Sequence, residues 1–311
     1  MKIVFLDAKT IGDDVSLDAF TEFGEFVTYP TTSKKQTLEH IGDAQIVLTN
    51  KVVIDKDVMD ECPNLKLICI VATGMNNVDL DYAASKGIEV KNAAGYSTAS
   101  VTQLTFTLAL YLIAQSRFYD DFVKSSGWAN SGLFTNVERP FWELKDKKWG
   151  IIGFGTIGKN VAKVADAFGA NVSYYSTSGA NNDSSHTRME LDEMLKTCDV
   201  ISIHAPLNEK TNGLIKKPQL DLMKKGAVLL NLGRGGIVDE SDLADAIDNN
   251  GLLAGIDVVA TEPINIDNKL LHVKNKDNLA MTPHIAWASV EARVELMKIV
   301  AQNIKSFLES K

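Results

Sequence analysis

The chain has 311 residues, of which 45% are hydrophobic and 23% charged, and its formal net charge is -8 at pH 7. At roughly 150 residues per domain, this length predicts about two domains, with cores large enough to need no disulfide staples. The acidic balance disfavours nucleic acid as a partner, because phosphate binding needs concentrated lysine and arginine. An anionic small molecule is still compatible with one well-placed arginine.

The spacing of the cysteines and the N-terminal residues indicate in which cellular compartment the protein resides. Cys62, Cys69 and Cys198 lack CxxC spacing, so they fit neither a disulfide framework nor a zinc site. The opening MKIVFLDA runs into a strand pattern without a signal-peptide core. The longest apolar run, near Leu104 to Ala114, is too short to cross a bilayer. We therefore expect a cytoplasmic protein with no metal and no membrane partner.

Short apolar runs alternate with helix-like segments in the first part of the chain. Strands are predicted at Ile3–Leu6, Val27–Tyr29, Gln45–Leu48, Leu65–Val71 and Ile88–Lys91, and helices at Leu17–Phe23 and Leu80–Ser85. Such runs, apolar throughout and separated by helices, indicate a parallel sheet covered on both faces. A long helix is predicted next, from Ser100 to about Arg117, because Ser100 and Gln103 have capping-box spacing. An irregular stretch through Trp142 follows.

A second strand and helix series starts at Lys148. Its predicted strands are Trp149–Phe154, Val172–Tyr175, Val200–His204, Val228–Leu232, Ala254–Val258 and Leu279–Met281. Its predicted helices are Ile157–Phe168, Leu191–Leu195, Ser241–Asn249 and a last one at Val290–Leu308. The chain is therefore predicted to be an α/β protein with two doubly wound parallel-sheet units, and the cleft between two such units is a natural ligand site.

The turn after the first strand of the second series carries a phosphate-loop pattern. Gly153, Gly155 and Gly158 have GxGxxG spacing, with an apolar strand before them and an amphipathic helix after them. The glycines permit a tight turn, close approach of the backbone to a pyrophosphate, and close packing of helix on strand. Thr156 and Ile157 begin the helix, whose N-terminal N–H groups favour an anion. The pattern predicts a Rossmann dinucleotide-binding domain.

The choice of cofactor depends on the end of the next strand. An acidic residue that binds the adenosine ribose is expected there, but the chain reads Tyr174, Tyr175, Ser176, Thr177, Ser178. Ser176 and Thr177 can hydrogen-bond either a ribose hydroxyl or a 2'-phosphate. We favour NAD because no nearby cation offsets a phosphate dianion, and NADP is the alternative.

Five further segments complete a recognisable set. They are VATGMNNVD from Val71, HAPLNEKTNG from His204, NLGRGGIVDE from Asn231, GIDVVATEP from Gly255 and TPHIAWAS from Thr282. With the glycine loop, this ordered set resembles the D-2-hydroxyacid dehydrogenase family over nearly the whole chain. The segment WAS after the histidine resembles the hydroxypyruvate reductase (glycerate dehydrogenase) branch of that family.

The resemblance implies a catalytic trio: Arg234 in GRGG, Glu262 before Pro263, and His284 after Pro283. A guanidinium can bind the substrate carboxylate and polarise the keto oxygen. An imidazolium can donate a proton to that oxygen. A carboxylate on the other ring nitrogen orients the ring and favours its charged form.

The resemblance also implies contacts around the trio. Cofactor-binding positions, besides the glycine loop and Ser176 and Thr177, are His204, Ala205, Pro206, Thr211, Asn231 and Asp257. Substrate-binding positions, besides Arg234 and His284, are Thr73, Gly74, Met75 and Trp287. The N–H groups near Gly74 and Met75 would grip the carboxylate, and Trp287 would narrow the pocket around a short polar substrate.

The family's topology implies a split chain. A flavodoxin-like substrate domain (residues 1–97 and 287–311) would receive the Rossmann dinucleotide-binding domain (residues 98–286) as an insertion. The family commonly forms homodimers through the inserted domain, and the irregular stretch 118–145 would suit a dimer arm. The absence of an appended regulatory domain disfavours the longer phosphoglycerate dehydrogenase type.

The expected function is thus that of a nicotinamide-dependent oxidoreductase acting on a small D-2-hydroxy acid or 2-keto acid, with hydroxypyruvate and D-glycerate as the favoured pair. One alternative is an NAD(H)-binding sensor or corepressor of the same fold without turnover. Another is a sibling enzyme such as a formate or phosphite dehydrogenase. An L-specific dehydrogenase would need a different order of motifs.

Overall fold

The computed structural model describes residues 1–310 of the chain. These residues divide into two compact units. Unit 1 comprises Met1–Ser97 and the segment from Trp287 onward, and unit 2 comprises Thr98–Ala286. Each unit contains its own parallel sheet. Unit 2 is therefore a continuous stretch of chain that interrupts unit 1.

The regular elements within residues 1–310 are as follows. The strands are β1 (Lys2–Phe5), β2 (Glu25–Thr28), β3 (Ile46–Thr49), β4 (Leu67–Ile70), β5 (Glu89–Lys91), β6 (Lys148–Ile152), β7 (Asn171–Tyr175), β8 (Thr187–Arg188), β9 (Val200–Ile203), β10 (Val228–Asn231), β11 (Leu253–Ile256) and β12 (Leu279–Met281). The α-helices are α1 (Thr37–Ile41), α2 (Lys56–Asp60), α3 (Leu80–Ser85), α4 (Thr98–Ile113), α5 (Ser116–Lys124), α6 (Gly127–Ser131), α7 (Thr156–Ala167), α8 (Leu191–Thr197), α9 (Lys217–Leu220), α10 (Glu240–Asn250) and α11 (Val290–Glu309). Short 3-10 helices lie at Ala8–Ile11, Asp18–Phe23, Lys269–His272 and Lys276–Asn278. Within this described part, no helix has both the length and the apolar character needed to cross a membrane.

Unit 1 is a five-stranded sheet of order β2-β1-β3-β4-β5, in which every pairing is parallel. This is the flavodoxin-like order that the sequence predicted. Strands β3 and β4 are buried along their whole length. Side chains of α11, such as Leu296 and Val300, pack with Phe5 on one face, and Ile41 and Met59 belong to the core of the other face.

Unit 2 is a seven-stranded sheet of order β12-β11-β10-β9-β6-β7-β8, again parallel throughout. From β6 the chain moves outward through β7 and β8, then returns to the other side of β6 for β9 to β12. Helices α4 and α7 contribute to the core of one face, and α8 and α10 to that of the other. The doubly wound Rossmann-type fold is therefore confirmed, and its topological switch point lies between β6 and β9.

Two local predictions in the helical segments were wrong. The helix predicted from Ser100 begins at Thr98, so Ser100 is not its N-cap, and the Ser100 hydroxyl instead donates a hydrogen bond to the Ala286 carbonyl at 2.6 Å. The same helix ends at Ile113, where Gln115 takes a left-handed conformation (φ 52°) before α5 begins. Residues Leu17–Phe23 form a 3-10 helix from Asp18. Short elements such as α1, α2, α9 and β8 carry too little periodicity to be predicted.

Candidate active site

The predicted cofactor and catalytic residues of unit 2 follow strands of the same parallel sheet. Gly153 follows β6, Ser176 follows β7 and His204 follows β9. Arg234 follows β10, and the segments with Glu262 and His284 follow β11 and β12. Since parallel strands end at one edge of a sheet, these side chains collect at the carboxyl edge, where α/β proteins bind ligands.

The glycine loop has the geometry that its motif predicts. Gly153 has φ +90°, and a Cβ added there would lie 2.8 Å from the Cα of Ala205 on the loop after β9. A Cβ on Gly158 would collide with the carbonyl oxygen of Gly153. Helix α7 follows with Gly155 as its N-cap and no side-chain cap, so its first N–H groups are not satisfied by a capping side chain. This end of α7 is suited to bind a phosphate.

A cavity of about 620 Å³ lies against this loop. Six of the predicted cofactor-binding residues line it, namely Gly153, Gly155, Ser176, Thr177, His204 and Pro206. Six residues that sequence reasoning missed line it as well, namely Phe154, Ser178, Asn181, Asn208, Glu209 and Lys210. The missed residues lie next to motif positions or on loops, and a single sequence does not fix the course of a loop.

His204 provides a test of whether this cavity fits a dinucleotide. Both ring nitrogens are inaccessible to solvent and have no hydrogen-bond partner within residues 1–310. Burial lowers the pKa of His204 from 6.5 to about 3, so the ring is neutral at physiological pH. A buried polar atom without a partner is costly, and a polar ligand can supply one. The residues present therefore fit a bound dinucleotide.

The loop after β7 is held by its own side chains. The hydroxyl of buried Ser176 accepts a hydrogen bond from the Asn181 N–H at 3.2 Å, and the Asn181 amide donates to the Phe154 carbonyl of the glycine loop. Asn181 thereby connects the loop after β7, at Ser176, with the glycine loop, at Phe154. Sequence reasoning missed this residue.

The expectation that no cation lies near this loop was wrong. Lys159 of α7 pairs with Asp183 at 2.8 Å, and this contact holds the pKa of the Asp183 carboxyl far below its usual range. Arg188 on β8 donates to the Gly179 carbonyl at 3.1 Å. The two cations lie far from Ser176 in sequence, and only the fold brings them to this loop. Both already have protein partners.

Several predicted cofactor positions instead shape the loops around the cavity. The fully buried Thr211 donates its hydroxyl to the Pro206 carbonyl at 2.6 Å and accepts the Asn208 N–H at 2.9 Å. The Asn231 side chain accepts the Gly233 N–H at 3.1 Å and donates to the Arg234 carbonyl at 3.0 Å. Ala205 and Gly158 are buried, whereas Thr156 is exposed and Ile157 partly buried.

His284 and Glu262 form a direct pair. Nδ1 of His284 lies 2.6 Å from Oε2 of Glu262, and the other carboxylate oxygen accepts the Val259 N–H at 3.2 Å. The carboxylate is thus held from two sides and fixes the plane of the ring. Nε2 of His284 has no hydrogen-bond partner in the described part of the chain, so it can serve a ligand.

The buried carboxylate of Asp257 anchors the His284 segment. Its Oδ1 accepts the Thr282 hydroxyl at 2.6 Å and the Ile285 N–H at 2.9 Å, and its Oδ2 accepts the Ala286 N–H at 3.0 Å. The His284 N–H donates to the Asp257 carbonyl at 2.8 Å, and His284 itself has φ 55°. The sequence suggested Asp257 as a cofactor contact, and its observed contacts position the histidine.

Arg234 lies on the third loop of this group. It is exposed, and its Nη1 donates to the Gly233 carbonyl at 2.8 Å. Strands β10, β11 and β12 are adjacent in the sheet. The loops that carry Arg234, Glu262 and His284 therefore leave three neighbouring strands at the same edge. Among residues 1–310, no group of three or more His, Cys, Asp or Glu side chains is arranged to hold a metal ion.

In unit 1, the predicted substrate loop follows β4. The Thr73 hydroxyl donates to the Ala93 carbonyl at 2.9 Å. The N–H groups of Gly74 and Met75 donate no hydrogen bond to residues 1–310, and they are therefore open to an anion. Trp287 packs against the core of unit 1, and its ring makes an edge contact with Tyr96 at a centroid distance of 6.3 Å.

The doubly wound sheet, its glycine loop and the cavity beside His204 define unit 2 as a Rossmann-type nucleotide-binding domain, and the His284–Glu262 pair at the same edge is suited to proton transfer in a dehydrogenase. Comparison with known proteins agrees. Residues 106–286 match the family model described as D-isomer specific 2-hydroxyacid dehydrogenase, NAD binding domain. The chain belongs to this family and is an NAD-dependent 2-hydroxyacid dehydrogenase.

Relatives resemble the chain over its whole length. The hydroxypyruvate reductase of Blautia hydrogenotrophica is 38% identical, with 99% of this chain and 97% of that protein covered. The glycerate dehydrogenase of Methylorubrum extorquens is 34% identical, with 100% and 97% covered. The crystal structure of the D-lactate dehydrogenase of Aquifex aeolicus, complexed with NAD and lactic acid, has a TM-score of 0.85, 28% identity and coverage of 99% and 96%.

Proposed function

We propose that this enzyme reduces hydroxypyruvate to D-glycerate with NADH. The substrate is supported by the names of two full-length relatives, a hydroxypyruvate reductase and a glycerate dehydrogenase, at 38% and 34% identity. The chain also carries Trp287, which suits a short polar substrate. Reduction is the favoured direction of assay because the keto acid is the form that the proposed acid, His284, would protonate.

The observation that carries the proposal is the 2.6 Å contact between His284 Nδ1 and Glu262 Oε2. The carboxylate orients the imidazole by holding Nδ1 on one side of the ring. Nε2 is then the donor that delivers a proton to the keto oxygen. Arg234, on the neighbouring loop, polarises the same oxygen and binds the substrate carboxylate with its planar donors. Asp257 keeps the His284 segment in place through its three accepted hydrogen bonds.

Bound NADH supplies the hydride that reaches the keto carbon. The residues that would hold it are those of the glycine loop and the cavity beside it, with the pyrophosphate at the N-terminus of α7. Ser176 and Thr177 would meet the adenosine ribose. NADH is favoured over NADPH because both nearby cations, Lys159 and Arg188, are already engaged by protein oxygens.

Unit 1 is proposed as the substrate domain. Its loop Thr73–Met75 would grip the substrate carboxylate through the N–H groups of Gly74 and Met75. Trp287 would limit the size of the substrate side chain. Unit 2 is proposed as the cofactor domain. These roles agree with the unit boundaries at Ser97 and Trp287.

We also propose that the enzyme is a cytoplasmic homodimer. Cys62, Cys69 and Cys198 are all free thiols and buried, as expected in a reducing compartment. The stretch after α5 exposes large apolar side chains, with Phe134 at 95% and Val137 at 78% exposure. Its base is fixed by the 2.6 Å ion pair of Arg139 with Asp277. An anchored segment with an exposed apolar surface suits a protein interface.

The proposed chemistry is tested with His284→Gln, which removes the proton donor. The rate of NADH oxidation with hydroxypyruvate should fall by about 10²- to 10⁴-fold, while NADH binding measured by fluorescence stays unchanged. His272→Gln is the matched control, because that ring is exposed and hydrogen-bonds to the Ile266 carbonyl at 3.0 Å, away from the proposed trio in sequence. Retention of full activity in His284→Gln would overturn the proposed role of the trio.

A further inference from the structure

Unit 1 contains a buried carboxylate that the proposed mechanism does not use. Asp7, two residues after β1, is only 5% exposed. It accepts three consecutive backbone N–H groups from the loop after β3, those of Asn50 at 2.8 Å, Lys51 at 2.6 Å and Val52 at 3.3 Å. Burial raises the pKa of the Asp7 carboxyl, and the three N–H donors act in the opposite direction. The carboxylate thus fixes the path of the chain from Asn50 to Val52.

The loop that Asp7 holds is joined in turn to the proposed substrate loop. The Asn77 amide donates to the Val52 carbonyl at 3.0 Å, and the Ile54 N–H donates to the Asn77 carbonyl at 2.8 Å. The Asp79 N–H donates to the Ile54 carbonyl at 3.2 Å. Three hydrogen bonds therefore connect the loop after β3 with the C-terminal end of the loop after β4.

The N-terminal end of the substrate loop is held separately, from the side of β5. The Asn92 amide donates to the Thr73 carbonyl at 2.7 Å, and the Ala93 N–H donates to the Ala72 carbonyl at 3.0 Å. Between the two anchored ends lie Gly74 and Met75, whose N–H groups donate no hydrogen bond to residues 1–310. The two N–H groups are thus positioned by hydrogen bonds on both sides of them.

We propose that Asp7 is a positioning residue for substrate binding, which acts through Val52 and Asn77 on the N–H groups of Gly74 and Met75. This inference rests on the proposed function of that loop as the carboxylate grip. The hydrogen bonds of the Asp7 carboxylate go to the loop after β3, so its effect reaches the substrate loop through that loop. Loss of the hydrogen bonds between Asp7 and the loop after β3 weakens binding of the keto acid. It leaves the proton donor and the cofactor cavity unaltered, because those belong to unit 2.

The test compares Asp7→Asn, Asn77→Ala and the double variant with Asp43→Asn. Asp43 is the control because its exposed carboxylate, in the same unit, pairs with Lys2 at 2.6 Å at the surface. We expect Asp7→Asn to raise the KM for hydroxypyruvate about tenfold, because the amide replaces one of the two accepting oxygens with a donor, with kcat changed less than about twofold. NADH affinity should be unchanged. The effects of the two single variants should be non-additive, since both interrupt one connection.

Each alternative has its own outcome. If Asp7→Asn lowers only the melting temperature and the yield, and KM stays at the wild-type value, the residue is merely structural and the inference is wrong. Additive effects of Asp7→Asn and Asn77→Ala would also overturn it. If Asp7→Asn does not fold, an unchanged KM in Asn77→Ala decides against it. If the wild-type enzyme reduces no keto acid, the proposed function is wrong and this inference is wrong with it. If the wild-type enzyme is active and the variants have the wild-type KM, only this inference is wrong.

Discussion

Nδ1 of His284 lies 2.6 Å from Oε2 of Glu262, although 22 residues separate them in the chain. The contact exists because the loops that carry them leave β11 and β12, which are paired in register as parallel neighbours. The carboxylate is held in turn by the Val259 N–H at 3.2 Å. Within residues 1–310, the histidine therefore has one nitrogen held by a carboxylate and one without a hydrogen-bond partner.

Glu262→Gln tests this relationship. The amide preserves the shape of the side chain but removes the negative charge from the group that faces His284 Nδ1. We expect kcat for hydroxypyruvate reduction to fall by about 100-fold, because the ring loses the carboxylate that holds it for proton transfer. Steady-state rates measure this effect, with exposed Glu193→Gln as the control. A wild-type kcat in Glu262→Gln would show that the carboxylate does not act on the histidine.

Trp287→Ala tests the proposed limit on substrate size. Removal of the indole should relax the preference against bulkier keto acids, so kcat/KM should fall for hydroxypyruvate and rise for a longer 2-keto acid. The ratio of the two should change by at least about tenfold, the low end of the discrimination that one methylene group gives in an apolar pocket. Trp142→Ala is the control, since that ring packs against the core of unit 2. An unchanged order of kcat/KM among the keto acids would show that Trp287 does not limit the size of the substrate.

His204 predicts a pH dependence of stability in the absence of cofactor. Burial lowers the pKa of His204 from 6.5 to about 3. Between these values the unfolded chain binds a proton that the folded protein does not, so the free energy of unfolding falls as the pH drops below 6.5. The slope is up to about 1.4 kcal/mol per pH unit.

Urea unfolding of wild type and His204→Gln at pH 7 and pH 5 measures this contribution. The stability of wild type relative to the variant should be smaller at pH 5, by about 2 kcal/mol. His272→Gln, at an exposed position, is the control. An equal difference at the two pH values would mean that the ring is solvated or paired in solution.

Phe134→Ser tests the proposed dimer arm. The Phe134 side chain is 95% exposed in the single chain. The proposed dimer would bury it, and aromatic side chains buried at an interface contribute strongly to binding. We expect sedimentation velocity to show a dimer for wild type and at least about a tenfold higher dissociation constant for the variant. Val53→Ser, on unit 1 at 57% exposure, is the control. A monomeric wild type would contradict the proposal directly.

The sheets and the glycine loop were predictable because they depend on local patterns. Apolar strand runs identified both parallel sheets, and GxGxxG spacing identified the turn from β6 into α7. The break between α4 and α5 was not predictable, since the apolar pattern continues through Gln115 and only its backbone conformation ends the helix. Short elements such as α1 and β8 were missed for lack of periodicity.

Motifs identify the segments of Arg234, Glu262 and His284, and the fold brings these segments to one edge of a sheet, while the catalytic roles stay predictions. The resemblance assigns Asp257 to the cofactor, which also stays a prediction, but the sequence does not show that its carboxylate accepts three hydrogen bonds from the His284 segment. Asp7 carries no motif, and the role that we propose for it depends on the neighbouring position of β1 and β3.

The most direct test of the central claim is the rate of NADH oxidation by the wild-type enzyme with hydroxypyruvate, glyoxylate, pyruvate and 2-ketoglutarate, each repeated with NADPH. We predict the highest kcat/KM for hydroxypyruvate with NADH and D-glycerate as the product. Tight binding of NADH without turnover of any of the four acids would contradict this account and indicate a nucleotide sensor or an enzyme for a substrate outside this set.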